Sequence, residues 1–436
     1  MDIKTYKQNI EAKKITCYDF VSDYVAKIMS NRHLNAVIEL NKNALNDAKA
    51  IDEMNEKPGP LFGYPVLIKD NINSCDTTAT GAGSISLAQN LVKEDAPIVK
   101  NLRKAGAVII GKANMTEFAN YMVDYREYQG MPNGYSSRGG QCIHPFNKAG
   151  DPGGSSTGSA VAVAAGIVPI ALGTETYGSI ILPSQRCGIV GIKPTATSVS
   201  TEGVIPISET LDIVGPMANN LEDAVTILGI LQNKEYKINP KTNVRVGVYK
   251  NKSWIENQQE QDANSSLLEK MEALGMNIIQ LNEEIIDESF IFEIMRYEFK
   301  NGINTYLNKY GNVEDIKNLS DIIKFNEKNE QEALKYGQNN LVAANEIGEN
   351  WNNDPIYVDA ISKRNLAINQ LEDYFNKHNL DIVFMETAHC GLAAATGFPS
   401  ITFPLGRTKE DIPMGCCLIS KRDREDILIN VAATLI

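Results

Sequence analysis

The stretch from Gly153 to Thr195 constrains the fold of this 436-residue chain more than any other part of it. It reads GGSSTGSAVAVAAGIVPIALGTETYGSIILPSQRCGIVGIKPT and is rich in Gly, Ser, Ala and Val. Before its closing Lys193 it carries one basic residue, Arg186, and one acidic residue, Glu175. Because a run of such small and apolar side chains must be covered, it predicts the buried centre of a globular fold.

Two turns rich in Ser and Gly interrupt this stretch, at residues 153–159 and 176–179. Between them lie a helix-like segment, Ala160–Ala165, and a strand-like apolar run, Val168–Leu172. Gly and Ser let backbone N–H groups approach a ligand closely. Such a piece of chain is typical of hydrolases that build a nucleophile and an oxyanion hole from neighbouring residues.

Three linked motifs mark the stretch: GGSSTGS at 153–159, GTETYGSI at 173–180 and CGIVGIKPT at 187–195. Upstream, GYPVLIKDNI surrounds Lys69, which closes an apolar strand pattern. In order and spacing, these segments resemble the signature of the amidase signature family of serine hydrolases. The flanking YSSRGGQ and GVIPIS segments are similar to the peptide amidase branch of that family.

The resemblance implies one α/β domain over residues 1–436, with a mixed, twisted central β-sheet covered on both faces by α-helices. It implies a signature core at about 60–230, a diverged substrate-shaping region at about 232–380 and a return to the core at 381–436. Along the chain, helical and strand patterns alternate, which favours the same fold class.

The resemblance also implies catalytic residues. The family's base corresponds to Lys69, its nucleophile to Ser179, and its relay serine, which follows a cis peptide bond, to Ser155. Ser156 is implied as a neighbour that orients the base. Backbone N–H groups of four consecutive residues are implied to form the oxyanion hole: Thr176, Tyr177, Gly178 and Ser179.

A lysine base suits this chain on physical grounds. A serine hydroxyl needs a base within hydrogen-bond reach, and a lysine amine serves only when it is neutral. Lys69 follows the apolar strand at 64–68, where burial would lower its pKa. From the residues alone, a strand-end lysine that reaches water is the alternative. The four histidines lie in no recognisable motif, and we interpret them as surface or locally bonded residues: His33, His144, His378 and His389.

Three positions depart from the family pattern. Tyr177 stands where most members have Gly, and at a positive φ a tyrosine would be strained. We expect Tyr177 instead to shape the pocket wall. Ile181 replaces a common Arg two residues after the nucleophile, and Arg186 stands where an apolar residue is usual. A contact with a substrate carboxylate is one interpretation of Arg186, and an ordinary salt-bridged arginine is the favoured one.

Composition excludes some classes of function. The net charge is −12, from 54 acidic and 42 basic residues, which argues against non-specific nucleic-acid binding. The seven cysteines are odd in number and form no Cys-x-x-Cys pair, so we expect free thiols in a reducing compartment and no metal. Neither a signal-peptide pattern nor an apolar run of membrane length is present, which predicts a cytoplasmic protein without a membrane contact.

The sequence therefore predicts an amidase that hydrolyses a carboxamide, either a small primary amide or a peptide C-terminal amide, through a serine acyl-enzyme. No cofactor is expected, and the protein is expected to be a monomer or homodimer. One alternative is an ammonia-generating subunit like the A subunit of glutamyl-tRNA(Gln) amidotransferase. A second is a catalytically weakened binding protein, for which Thr157, Tyr177 and the short C-terminal segment are the support.

Overall fold

The computed structural model describes residues 1–124, 130–249, 258–385 and 391–436. Within these ranges the strands are β1 (Val37–Leu40), β2 (Pro65–Lys69), β3 (Val108–Ala113), β4 (Tyr135–Ser136), β5 (Gly140–Gln141), β6 (Ile170–Glu175), β7 (Val190–Lys193), β8 (Ile213–Ala218), β9 (Arg245–Tyr249), β10 (Asn277–Gln280), β11 (Ile382–Met385), β12 (Ser400–Thr402), β13 (Pro404–Arg407), β14 (Pro413–Gly415) and β15 (Cys417–Ser420).

The α-helices of the same ranges are α1 (Ile3–Glu11), α2 (Cys17–Ser30), α3 (Ala44–Asp52), α4 (Pro97–Lys104), α5 (Thr157–Ala164), α6 (Ile181–Cys187), α7 (Leu221–Gln232), α8 (Gln258–Ala273), α9 (Phe290–Tyr310), α10 (Leu319–Lys328), α11 (Glu330–Ala333), α12 (Asn339–Asn345), α13 (Pro355–Lys377), α14 (Gly391–Thr396) and α15 (Glu425–Leu435). None of them is both long and apolar enough to cross a membrane.

Most of the strands form one mixed sheet, in the order β1-β3-β2-β6-β8-β7-β12-β15-β11-β9-β10. β2 pairs in parallel with β3 and β6, and β8 runs antiparallel to both β6 and β7. The carboxyl ends of β2, β3, β6 and β7 therefore lie at one edge of the sheet. Lys69, Glu175 and Lys193 are the last residues of β2, β6 and β7, so all three reach that edge.

Local sequence explains how the elements around this edge form. Every residue of β2 and β6 is buried, as expected for strands of a sheet covered on both faces. Helix α2 begins with a capping box, in which Thr16 Oγ1 accepts from the Asp19 N–H at 3.0 Å. The strand predicted at 168–172 forms two residues later and runs on to Glu175.

The cysteine prediction is wrong at one position. Cys417, in β15, is disulfide-bonded. An odd cysteine count and the lack of a close pair do not show which thiols meet in space, because that depends on the fold. Cys390 lies outside the described residues. The remaining five cysteines have free thiols: Cys17, Cys75, Cys142, Cys187 and Cys416.

Close packing of α5 on the sheet generates a stability prediction. A Cβ atom at Gly158, in the first turn of α5, would lie 2.3 Å from Asn114 O and 2.4 Å from Ala36 O. Helix propensity alone favours alanine over glycine by about 1 kcal/mol. We expect the opposite sign here, because Gly158→Ala overpacks backbone atoms and lowers the free energy of unfolding by about 1–3 kcal/mol or more.

Urea unfolding followed by circular dichroism measures this difference. Gly348→Ala is the matched control, because its Cβ would meet no atom within 4 Å. Equal midpoints for the two variants would contradict the packing described for α5.

Candidate active site

Lys69 ends β2 inside the protein, with no exposed surface. Its Nζ lies 2.8 Å from Ser155 Oγ, 2.9 Å from Ser156 Oγ and 3.1 Å from the carbonyl oxygen of Thr174. Burial lowers the pKa of this amine to about 7, although the charges of Asp212 and Glu175 act in the opposite direction. A substantial fraction of Lys69 is therefore neutral at physiological pH.

The hydrogen bonds around Ser156 fix how the neutral amine is oriented. Ser156 Oγ lies 3.0 Å from Thr174 O and accepts from the Thr174 N–H at 3.2 Å. Because a carbonyl oxygen only accepts, the Ser156 hydroxyl donates to Thr174 O, and Ser156 Oγ accepts from Lys69. A neutral amine has two N–H groups and one lone pair. With the N–H groups directed at Ser156 and Thr174, the lone pair of Lys69 faces the Ser155 hydroxyl.

Glycines permit this close arrangement. A Cβ atom at Gly173, in β6, would lie 2.9 Å from Ser156 Oγ, so a side chain at this position would displace the serine. The peptide bond between Gly154 and Ser155 is cis. The Ser155 carbonyl accepts from the N–H of Thr116 at 3.1 Å, which anchors the turn to the segment after β3.

Ser179 lies beside this turn and borders a cavity. Its carbonyl oxygen accepts from the Ser156 N–H at 3.2 Å. Only 8% of Ser179 is exposed, and it lines a cavity of about 480 Å³ together with Gly154, Thr176 and Tyr177. The structure thus brings the sequence-predicted residues Lys69, Ser155, Ser156 and Ser179 into one place.

Carboxylates hold the turn at 176–179 from several sides. Glu175 Oε2 accepts from the N–H groups of Ile180 at 2.7 Å and Ile181 at 3.0 Å. The Thr176 hydroxyl donates to Asp212, whose second oxygen accepts from the Ile207 N–H at 2.8 Å. Burial raises the pKa of Glu175, and it raises the pKa of Asp212 to about 6.

Within the turn, Gly178 has a φ of 87°, whereas Tyr177 is not among the positive-φ residues of the described chain. Tyr177 is therefore free of the strain considered from the sequence, and its side chain lines the cavity as expected. The N–H groups of Thr176 and Ser179 donate to no other group in the part of the chain that the structure describes.

The other walls of the cavity come from three segments: 119–124, 292–296 and 339–343. The last two lie in the region at about 232–380 that was expected from the sequence to shape the substrate site, although no individual residue of the three segments was singled out there. The first contains Ala119 and Asn120, with φ of 55° and 73°. Non-glycine residues with positive φ are uncommon and cluster at functional sites. Backbone angles are invisible in a sequence, but helical spacing of Phe292, Met295 and Arg296 was a usable signal.

Two other sequence interpretations have clear outcomes. Arg186 forms an ion pair with Glu260 at 3.2 Å and does not line the cavity, so the salt-bridged interpretation is confirmed. His144 bonds to a backbone carbonyl at 2.9 Å and His378 to Glu283 at 2.5 Å, as expected for locally bonded histidines. His389 lies outside the described residues. No cluster of three or more metal-binding side chains occurs in the four described ranges.

Comparison with known proteins identifies the family that this chain resembles. A model of the amidase family matches residues 19–429. A protein of Schizosaccharomyces pombe that carries an amidase name is 32% identical, over 97% of this chain and 82% of its own length. The A subunit of glutamyl-tRNA(Gln) amidotransferase from Deinococcus radiodurans is 38% identical, over 51% of this chain and 44% of the subunit. Native peptide amidase from Stenotrophomonas maltophilia matches 100% of this chain and 96% of its own, with a TM-score of 0.91 at 30% identity.

This chain belongs to the amidase family. The resemblance drawn from its motifs and the predicted α/β fold class are both confirmed. The protein is an enzyme that hydrolyses amide C–N bonds.

The buried amine generates a direct physical prediction. In a protein labelled with ¹³C-lysine, we expect one NMR signal to titrate near pH 7 and to be missing from Lys69→Met. Lys112 and Lys193 are the internal controls. Burial lowers the pKa of each to about 8, and their signals stay in the variant. A Lys69 signal that titrates only above pH 9 would contradict the site geometry.

Proposed function

We propose that this enzyme hydrolyses a carboxamide to a carboxylate and ammonia through an acyl-enzyme on Ser179, with Ser155 as proton relay and Lys69 as base. The observation that carries the proposal is the Lys69 amine, which is buried, has a pKa lowered to about 7 and lies 2.8 Å from the Ser155 hydroxyl. A base of this kind can take up a proton at neutral pH.

In the first half of the reaction, Ser179 Oγ attacks the amide carbonyl carbon. Its proton passes to Ser155 as the Ser155 proton passes to the lone pair of Lys69, which becomes an ammonium. The C–N bond of the tetrahedral intermediate then breaks, and the relay returns a proton to the departing nitrogen, which leaves as ammonia. In the second half, water attacks the acyl ester with the same relay, and Ser179 is released with the carboxylic acid.

The turn at 176–179 is proposed to supply the oxyanion hole, through the N–H groups of Thr176, Tyr177, Gly178 and Ser179. The Thr176 and Ser179 N–H groups, which have no acceptor among the described residues, support this role. Each donor aimed at the developing negative charge is worth roughly 3–4 kcal/mol in measured hydrolases.

The substrate is proposed to be a peptide C-terminal amide or another small primary amide. A cavity of about 480 Å³ accommodates more than the amide group, and Asn339 and Asn340 offer polar contacts in its wall. The full-length similarity to peptide amidase supports the same class. The catalytic unit is proposed to be a monomer or a homodimer that needs no cofactor.

The chief alternative remains an ammonia-generating subunit of an amidotransferase. The A subunit of glutamyl-tRNA(Gln) amidotransferase matches about half of this chain, whereas peptide amidase matches all of it. The A-type subunit would need a partner protein for its physiological product. Hydrolysis by the isolated chain with ordinary kinetics would therefore count against it, and so would the absence of a co-purifying second subunit.

A cytoplasmic location is part of the proposal. Five free thiols among the described cysteines support a reducing compartment, and the disulfide at Cys417 is the observation against it. Cell fractionation would show whether the protein is cytoplasmic or lies in an oxidising compartment.

The three proposed catalytic residues lead to the first prediction on activity. We expect Ser179→Ala, Ser155→Ala and Lys69→Ala each to lower ammonia release from peptide amides by at least about a thousandfold, because members of such a relay act as a unit. Fluorophosphonate labelling, read by peptide mass mapping, should place an adduct on Ser179 of the wild type and on none of these three variants. Ser362→Ala is the control, since its exposed hydroxyl bonds to Val358 O in its own helix and to no other group of the described residues. Full turnover by Ser179→Ala would overturn the proposed nucleophile.

The lowered pKa of Lys69 fixes the direction of the pH dependence. The base must be neutral, so kcat/KM for an N-acetylated peptide amide should rise about tenfold per pH unit below pH 7 and level off above it. The acetyl group removes titration of the substrate's own amine. Thermal unfolding over the same range separates this effect from loss of the fold. A flat profile from pH 5.5 to 8 would contradict a lysine base.

A further inference from the structure

The side chain of Tyr177 links the turn of the active site to a distant helix. Its hydroxyl donates to Glu288 Oε2 at 2.8 Å, and its ring meets Phe292 edge-on, with centroids 6.0 Å apart. Glu288 lies 111 residues further along the chain, just before α9 begins at Phe290. The backbone of the same tyrosine belongs to the turn at 176–179.

The segment that carries Glu288 is itself anchored. Ile286 is buried, and its N–H donates to the Tyr249 hydroxyl at the end of β9, at 2.7 Å. Phe290 and Ile291 are also buried, so the start of α9 is packed on both sides of Glu288. A hydrogen bond to this carboxylate therefore connects Tyr177 to a fixed point of the fold.

The hydrogen bond of Tyr177 suits a structural role rather than a role in proton transfer. Its phenol hydroxyl donates its proton to the Glu288 carboxylate. While this bond holds, the side chain cannot swing about its Cα–Cβ bond, because that movement would carry the hydroxyl away from Glu288. Thr176 is held in a similar way by Asp212, so two successive side chains of the turn end on carboxylates.

We propose that the Tyr177–Glu288 pair is a strut that fixes the position of the turn at 176–179, which makes both residues positioning residues for the oxyanion hole. The inference rests on the proposed function of Ser179 and of this turn. Because the hole acts on charge that develops in the transition state, the strut should affect kcat and acylation rate while leaving KM nearly unchanged. A simple wall residue would instead change KM for bulky acyl groups.

Tyr177→Phe tests the strut, because it keeps the ring and removes the hydrogen bond. We expect kcat for an N-acetylated peptide amide, and the rate of Ser179 labelling by a fluorophosphonate, to fall about three- to tenfold, the effect of one such bond. KM should change less than about twofold. Glu288→Gln keeps an acceptor and should retain most of the rate, whereas Glu288→Leu should match Tyr177→Phe.

The matched control is Asp287→Asn. This neighbouring carboxylate is exposed and bonds to Ser289. Burial raises the pKa of Glu288 and the charge of Asp287 adds to that effect, so its loss favours the charged Glu288 that accepts from Tyr177 and should slow no step. The double variant Tyr177→Phe/Glu288→Leu should be no slower than either single variant, because one bond is lost in all three. Thermal midpoints show that each variant remains folded under assay conditions.

Different results would overturn the strut. Wild-type kcat in Tyr177→Phe with an altered KM would make Tyr177 a wall residue only, and a double variant that loses the product of both single effects would show that the residues act independently. A wild type that neither labels at Ser179 nor hydrolyses any amide would overturn the proposed function, and the positioning role with it. Normal wild-type labelling thus separates failure of the strut from failure of the function.

Discussion

The burial of the Lys69 amine is the constraint on which the rest of the site depends. β2 lies between β3 and β6 in a sheet covered on both faces, so no water reaches the end of its last side chain. A charged amine is costly there, which favours the neutral form. The neutral amine in turn needs two acceptors and one donor, and Thr174, Ser156 and Ser155 supply them in that arrangement.

Two nearby carboxylates limit how far burial lowers the pKa of Lys69. Glu175 and Asp212 raise the pKa of Lys69 against the larger effect of burial, so that the amine titrates near pH 7. Both carboxylates also accept hydrogen bonds that shape the turn after β6. The same groups therefore set both the pKa of the Lys69 amine and the position of the turn, and a substitution at either one changes two properties at once.

The sequence predicted the parts of the site that are local in the chain. The motifs at 153–159 and 173–180 form neighbouring turns at the edge of one sheet. The burial of Lys69 was predicted because it is the lysine that closes an apolar strand pattern. The region at about 232–380 was expected to shape the substrate site, but the individual wall segments at 119–124, 292–296 and 339–343 were not predicted, because they meet only through long-range packing and carry no motif. The bond between Tyr177 and Glu288 has the same origin, since nothing near either residue in sequence indicates its partner.

This difference follows from what each part must do. A neutral lysine needs a dry strand end, an acceptor pair and glycines such as Gly173 that allow atoms within 3 Å, so few residue types fit. A wall needs only shape and polarity, which many side chains on a helix such as α9 can supply. Tyr177 connects the two parts, because its backbone belongs to the turn and its hydroxyl bonds to Glu288, just before the helix α9 whose residues line the wall.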